Sequence, residues 1–123
     1  MPFFSFKKFK NSVFHATRGF KCALKEQNFK VQVMISVAVI FFALYFKLKV
    51  WEIIALTMMI VLILVLEIIN SIFERIIDIL EPRVHPYAKI VKDMMASAVL
   101  ISSLGAIFVG LTIFWPYLEK CFV

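Results

Sequence analysis

Apolar residues follow two different patterns along this chain. In the N-terminal stretch they recur at Phe6, Phe9, Val13, Ala16, Phe20 and Ala23, in alternating steps of three and four. That spacing puts them on one face of a helix. Lys7, Lys8, Lys10, Arg18, Lys21 and Lys25 fall largely elsewhere, as in a helix lying in a membrane surface with its apolar side down. Long apolar runs follow. Val31 to Phe46 is broken by Gln32 and Ser36, a second run extends from Val50 through Leu66 with helical periodicity to Leu80, and a third reaches from Met94 to Trp115. No strand-like alternation or hairpin signal appears, and Gly occurs only 3 times, so sheet turns are scarce. The pattern predicts one all-α membrane domain. Its parts are a surface helix over 1–30, transmembrane helices over 31–48, 50–80 (with a cytoplasmic extension) and 88–118, and a cytoplasmic loop at 81–87.

Composition sharpens this picture. The 123 residues are 63% hydrophobic and 18% charged, with a mean hydropathy of +0.93. A globule this small could not hide so much apolar surface from water. A soluble enzyme, a disordered chain and a multidomain receptor are excluded, and the bilayer becomes the solvent. A secretory signal is not expected, because the apolar run begins late and no small-residue cleavage site follows it. Cys22 and Cys121 lie near opposite ends with no metal spacing and read as free thiols.

The formal net charge of +6 raises nucleic acid as a partner, but basic residues beside apolar spans face anionic lipid instead. Their distribution sets the topology. Residues 1–30 hold seven Lys and Arg, and Arg75, Arg83, Lys89 and Lys92 flank the second link, against Lys47, Lys49 and Lys120 on the other side. Eleven against three puts the N-terminus and the second link in the cytoplasm. Trp51 and Trp115–Pro116–Tyr117 then mark the outer interface.

Against this apolar background the acidic residues stand out. Glu67, Asn70, Glu74 and Asp78 sit at offsets 0, 3, 7 and 11, so at about 100° per residue they share one helical face. Such a stripe must face protein or a water-filled cavity. With Trp51 at the outer boundary, Glu67 lies about 24 Å inward and Glu74 about 35 Å. Measured from Trp115, Asp93 lies about 33 Å inward, level with Glu74. The carboxylates therefore bracket the cytoplasmic edge of a hydrocarbon core about 30 Å thick. That is where a lipid headgroup meets a water-soluble cofactor. Clustered carboxylates also call for a cation, and magnesium, held by one or two of them plus phosphates, suits the place. Arg75, Asp78 and Glu81 read equally well as salt-bridged residues on an emerging helix end. Glu67, deep in an apolar stretch, does not, and function is its default reading.

A small oligomeric transporter with Glu67 as a proton or ion relay is the alternative, although the outer halves of the spans hold few polar residues beyond Ser36, Thr57, Ser102, Ser103 and Thr112. A structural or adaptor subunit is a third possibility. Ser97, Ser102, Gly105, Ala106 and Gly110 read as close helix-packing positions. No phosphate loop, protein-kinase signature or nucleophile elbow is present, so any phosphoryl chemistry uses another architecture.

The run Glu67-Ile-Ile-Asn70-Ser71-Ile-Phe-Glu74-Arg-Ile-Ile-Asp78, followed by Lys92-Asp93 and a small-residue start to the third span, resembles the prokaryotic diacylglycerol kinase family. These are small membrane lipid kinases that include diacylglycerol and undecaprenol kinases. Glu26-Gln-Asn28-Phe29-Lys30 resembles that family's junction between surface helix and first span. The resemblance implies an ATP- and Mg2+-dependent kinase of the bacterial inner membrane, a homotrimer with composite sites. In it Glu67 is the general base on the lipid hydroxyl, while Glu26 and Glu74 hold the metal. Asn70 and Asp78 order the site, and Lys92 and Asp93 bind nucleotide. Lys8, Lys21 and Ala96 match positions near the lipid, and His15 and His85 match positions near the nucleotide. Met95 departs from the family pattern, being larger than the small residue many relatives carry there.

Overall fold

A computed structural model describes residues 4–80 and 86–122. Among the described residues the chain forms four helices: α1 (Phe6–Ala23), α2 (Gln27–Tyr45), α3 (Val50–Leu80) and α4 (Pro86–Phe122). The last three are long and apolar enough to cross a bilayer.

Helix α1 starts at a cap: the Ser5 side chain accepts from the Lys8 backbone N–H at 3.4 Å. Its Phe6, Phe9, Val13 and Phe14 side chains are exposed. Helix α1 ends at Ala23, short of the residue 30 expected for a surface helix, and α2 begins at Gln27, ahead of the expected Val31. Hydropathy alone misses this boundary because Leu24 and Lys25 carry no Gly or Pro signal. Glu26 makes the break by adopting an extended backbone (φ −83°, ψ 134°) and becoming the N-cap of α2. Phe29, fully buried, then packs edge-on against Phe20 of α1 at 5.5 Å between ring centres. This aromatic pair fixes the corner between α1 and α2.

Helix α3 is the central element, with its most extensive interface to α4 and a smaller one to α2. Ala43, Leu48, Leu56 and Ile113 form a buried cluster joining the α2–α3 turn to α4. The turn itself needs Lys47 in the left-handed region, at φ 54°, which is uncommon for a non-glycine residue. A polar clamp closes this end. Buried Glu52 accepts from the Lys49 backbone N–H at 2.9 Å and from the Tyr117 hydroxyl at 2.6 Å. The first contact is one half of a capping box, in which the third helical residue reaches back to the cap.

Elsewhere large apolar side chains face outward, including Met58, Val61, Leu104 and Phe108. Exposed apolar surface on this scale identifies a membrane protein. The small residues of α4 divide. Gly105 approaches Met59, where an added Cβ would sit 3.9 Å from the side chain, whereas Gly110 has nothing within 4 Å. Within this chain Gly105 thus packs against Met59 of α3, while Gly110 faces open space.

Candidate active site

The polar face of α3 begins where the helix is still buried. Glu67 is 4% exposed, and Asn70 and Ser71 are buried beside it, as residues three and four positions apart on one helical face must be. Glu74 and Asp78 follow one and two turns further and are exposed. The Asn70 amide donates to Glu74 Oε1 at 3.3 Å, leaving Asn70 Oδ1 buried with no hydrogen-bond partner among the described residues.

Glu26 reaches this face from the α1–α2 corner. One carboxylate oxygen accepts from the Ser71 hydroxyl, and the other from Arg75 Nη2 at 3.3 Å. Arg75 Nη1 also contacts Cys22 Sγ at 3.2 Å, so a single guanidinium ties the end of α1 and the start of α2 to α3. From α2, the Gln32 carboxamide donates to Glu67 Oε2 at 3.4 Å. Ser71 and Arg75 thus bring Glu26 onto the side of α3 that carries Glu67, Asn70 and Glu74.

Further along, Lys92 of α4 pairs with Asp78 at 3.0 Å, joining the last turns of α3 to the first turns of α4. Asp78 and Arg75 are thus salt-bridged residues, as one reading of the sequence had it, but each has its partner on another element. Asp93 is exposed next to Lys92. Lys8, His15, Lys21 and Ala96 are all exposed, and no hydrogen bond or ion pair links them to the cluster among the described residues. His15 has an edge-on contact with Phe14. His85 lies outside the described residues.

Above the cluster runs a groove of about 850 Å³ between α2 and α4, floored by α3. Its walls are mostly apolar, with Ile35, Ile63 and Ile107 among them, and Gln32 and Glu67 line it too. One carboxylate thus borders both an oily channel and an acidic, oxygen-rich cluster.

The donor set fits a hard divalent cation. Glu26 and Glu74 offer carboxylate oxygens, and the orphaned Asn70 Oδ1 adds a neutral one. No group of three or more His, Cys, Asp or Glu converges among the described residues.

Three contacts at the site have no precursor in the sequence reading: Ser71 to Glu26, Arg75 to Cys22, and Gln32 to Glu67. Gln32 did leave a signal, as one of two polar residues in an apolar run. The other, Ser36, spends its hydroxyl on its own helix, donating to the Gln32 carbonyl at 2.7 Å.

Known proteins have similar sequences. The family model described as prokaryotic diacylglycerol kinase matches residues 14–114. The chain is 31% identical over 112 residues to the undecaprenol kinase of Bacillus subtilis, covering 90% of this chain and 91% of that protein. It is 34% identical over 114 residues to the diacylglycerol kinase of Helicobacter pylori strain J99, covering 92% and 82%. A diacylglycerol kinase of Synechocystis sp. is 32% identical over 99 residues, which is 80% of this chain and 57% of that protein. With a membrane-spanning architecture and a clustered carboxylate face already in place, the chain belongs to the prokaryotic diacylglycerol kinase family and is a lipid kinase.

Proposed function

We propose that this protein transfers the γ-phosphate of ATP, with magnesium, to the hydroxyl of diacylglycerol or undecaprenol at the cytoplasmic face of a bacterial inner membrane. The observation that carries this reading is Glu67, a buried carboxylate that lines the apolar groove and adjoins the Glu26–Asn70–Glu74 cluster. Such a residue reaches a greasy alcohol from one side and a nucleotide from the other.

Phosphoryl transfer needs alignment and charge neutralisation more than covalent chemistry from the protein. Glu67 takes the hydroxyl proton as the lipid oxygen bonds to the γ-phosphorus and the bond to the β,γ-bridging oxygen breaks. Glu26 and Glu74 hold the metal, which neutralises phosphate charge when bound. Asn70 and Asp78 order this site, and Lys92 and Asp93 contact the nucleotide. Lys8, Lys21 and Ala96 border the lipid, and His15 and His85 the nucleotide. The exposed Phe6, Phe9 and Val13 seat α1 in the membrane surface. Three copies associate, with sites shared between them.

The test supplies purified protein with radiolabelled ATP and either lipid. Phosphate entering one lipid names the substrate; none entering either removes the proposal. In the same assay Glu67→Gln is expected to lose at least about 100-fold in turnover, in line with removal of a general base, while nucleotide binding survives. Turnover at the wild-type rate would remove Glu67 as the base.

A further inference from the structure

Glu26 opens α2 from the N-cap position, yet its side chain makes no hydrogen bond to the start of its own helix. Good N-caps are the shorter Ser, Thr, Asp and Asn. No capping bond therefore ties the carboxylate locally, and with 30% of the side chain exposed it has solvent within reach. Its contacts are with α3 instead. Ser71 donates to one oxygen, and Arg75 Nη2 to the other at 3.3 Å. Arg75 also spans the corner, because its Nη1 meets Cys22 Sγ in the last turn of α1 at 3.2 Å. A planar guanidinium addresses two acceptors at once in a fixed geometry, which an ammonium does not. An ion pair this exposed does little for stability, so stability does not account for the arrangement. Each carboxylate oxygen has two lone pairs, and one donor on each leaves room for a cation.

We infer that Arg75 is a positioning residue of the metal site, gripping Cys22 and Glu26 together so that the Glu26 carboxylate is fixed on α3 with a counter-charge before the cation arrives. This rests on Glu26 being a metal ligand, and it names what sets that ligand in place. The cation then meets a carboxylate already oriented by two donors and does not have to draw one in from solvent. Ordering the side chain beforehand lowers the cost of binding, since a free glutamate loses rotamer entropy at that moment. Repulsion between guanidinium and cation opposes this, but solvent screens it for a side chain 55% exposed. The two effects have opposite signs. Loss of Arg75 weakens cation binding if positioning dominates and strengthens it if repulsion does. Arg75 is not among the residues lining the apolar groove, so its contribution falls on the cation and not on the lipid.

The experiment is binding of Mn2+, a hard divalent probe, to the full-length protein in detergent micelles, followed by electron paramagnetic resonance. Arg75→Met removes the donors and the charge, and is expected to raise the dissociation constant for Mn2+ by roughly 10-fold, as for other groups that brace a metal ligand. Arg75→Gln is expected to show the same loss, and it serves if the Met variant fails to fold. Arg75→Lys keeps an ion pair with Glu26 and should regain most of the affinity. In steady-state assays the magnesium needed for half-maximal activity should rise in parallel, with the KM for the lipid unchanged within about 2-fold. Thermal unfolding without divalent cation should match the wild type, as expected for a surface ion pair. Unchanged or tighter Mn2+ binding in the Met and Gln variants would overturn the inference. So would a lowered Tm with equal losses for cation and lipid, the mark of a purely structural role. If Glu26→Gln weakens Mn2+ binding while the Arg75 variants do not, only the Arg75 assignment falls. If Glu26→Gln leaves Mn2+ binding unchanged, Glu26 is not a ligand and this inference falls with it.

Discussion

Glu67 and Asn70 show how far individual residues can be read without coordinates. Their shared face with Glu74 follows from helical periodicity, which is local and fixed by geometry. Burial of Glu67 and Asn70 agrees with it. The grip on Glu26 by Ser71 and Arg75 spans 45 and 49 residues of sequence, and no periodicity encodes a contact between separate helices. Asn70 makes the local network testable. Its amide braces Glu74 while its free oxygen faces no protein donor. Asn70→Ala is therefore expected to raise the magnesium concentration for half-maximal activity by roughly 10–100-fold, as for other residues that brace a metal ligand. Titrating activity against magnesium at saturating ATP measures this. An unchanged requirement would separate Asn70 from the metal.

Among the helices, α3 holds the structure together through contacts at both ends. The clamp of Glu52, Lys49 and Tyr117 pins its start to α4, and Lys92–Asp78 joins the same two helices near its C-terminal end. Glu52 was legible in principle, since Lys49-x-x-Glu52 has capping spacing, but it sits within a run that hydropathy marks as span. Tyr117→Phe removes one hydrogen bond to a buried carboxylate. It is expected to destabilise the protein by roughly 1.5–3 kcal/mol in thermal unfolding in detergent, leaving kcat and KM unchanged because the clamp lies far from Glu67. Loss of activity without loss of stability would contradict that separation. Arg75–Glu26 is more exposed, and a pair of that kind contributes only about 0–1 kcal/mol. Its value lies in placing the α1–α2 corner.

For the whole molecule, the three spans were legible because long apolar runs need no tertiary information. The groove was not, because it is the space left where α2 and α4 fail to close over α3. The basic residues predict an orientation across the membrane, and the two free cysteines can test it. A membrane-impermeant maleimide applied to intact cells is expected to label Cys121, with Cys22 labelled only after permeabilisation. The reverse result would invert the topology and place the carboxylates outside.

Helix α3 runs unbroken for 31 residues, about 47 Å, from the Glu52 clamp to the acidic face. It therefore acts as a rigid ruler, with Trp51 at one mark and Glu67 at another. With Trp51 at the outer boundary, a bilayer thicker by about 5 Å moves its inner boundary about one helical turn further from Glu67, to the level of Glu74. Mismatch of that size is met by tilting the helix or deforming the lipid around it. Turnover is therefore expected to change with the thickness of the surrounding lipid, which activity in bilayers of different acyl length measures.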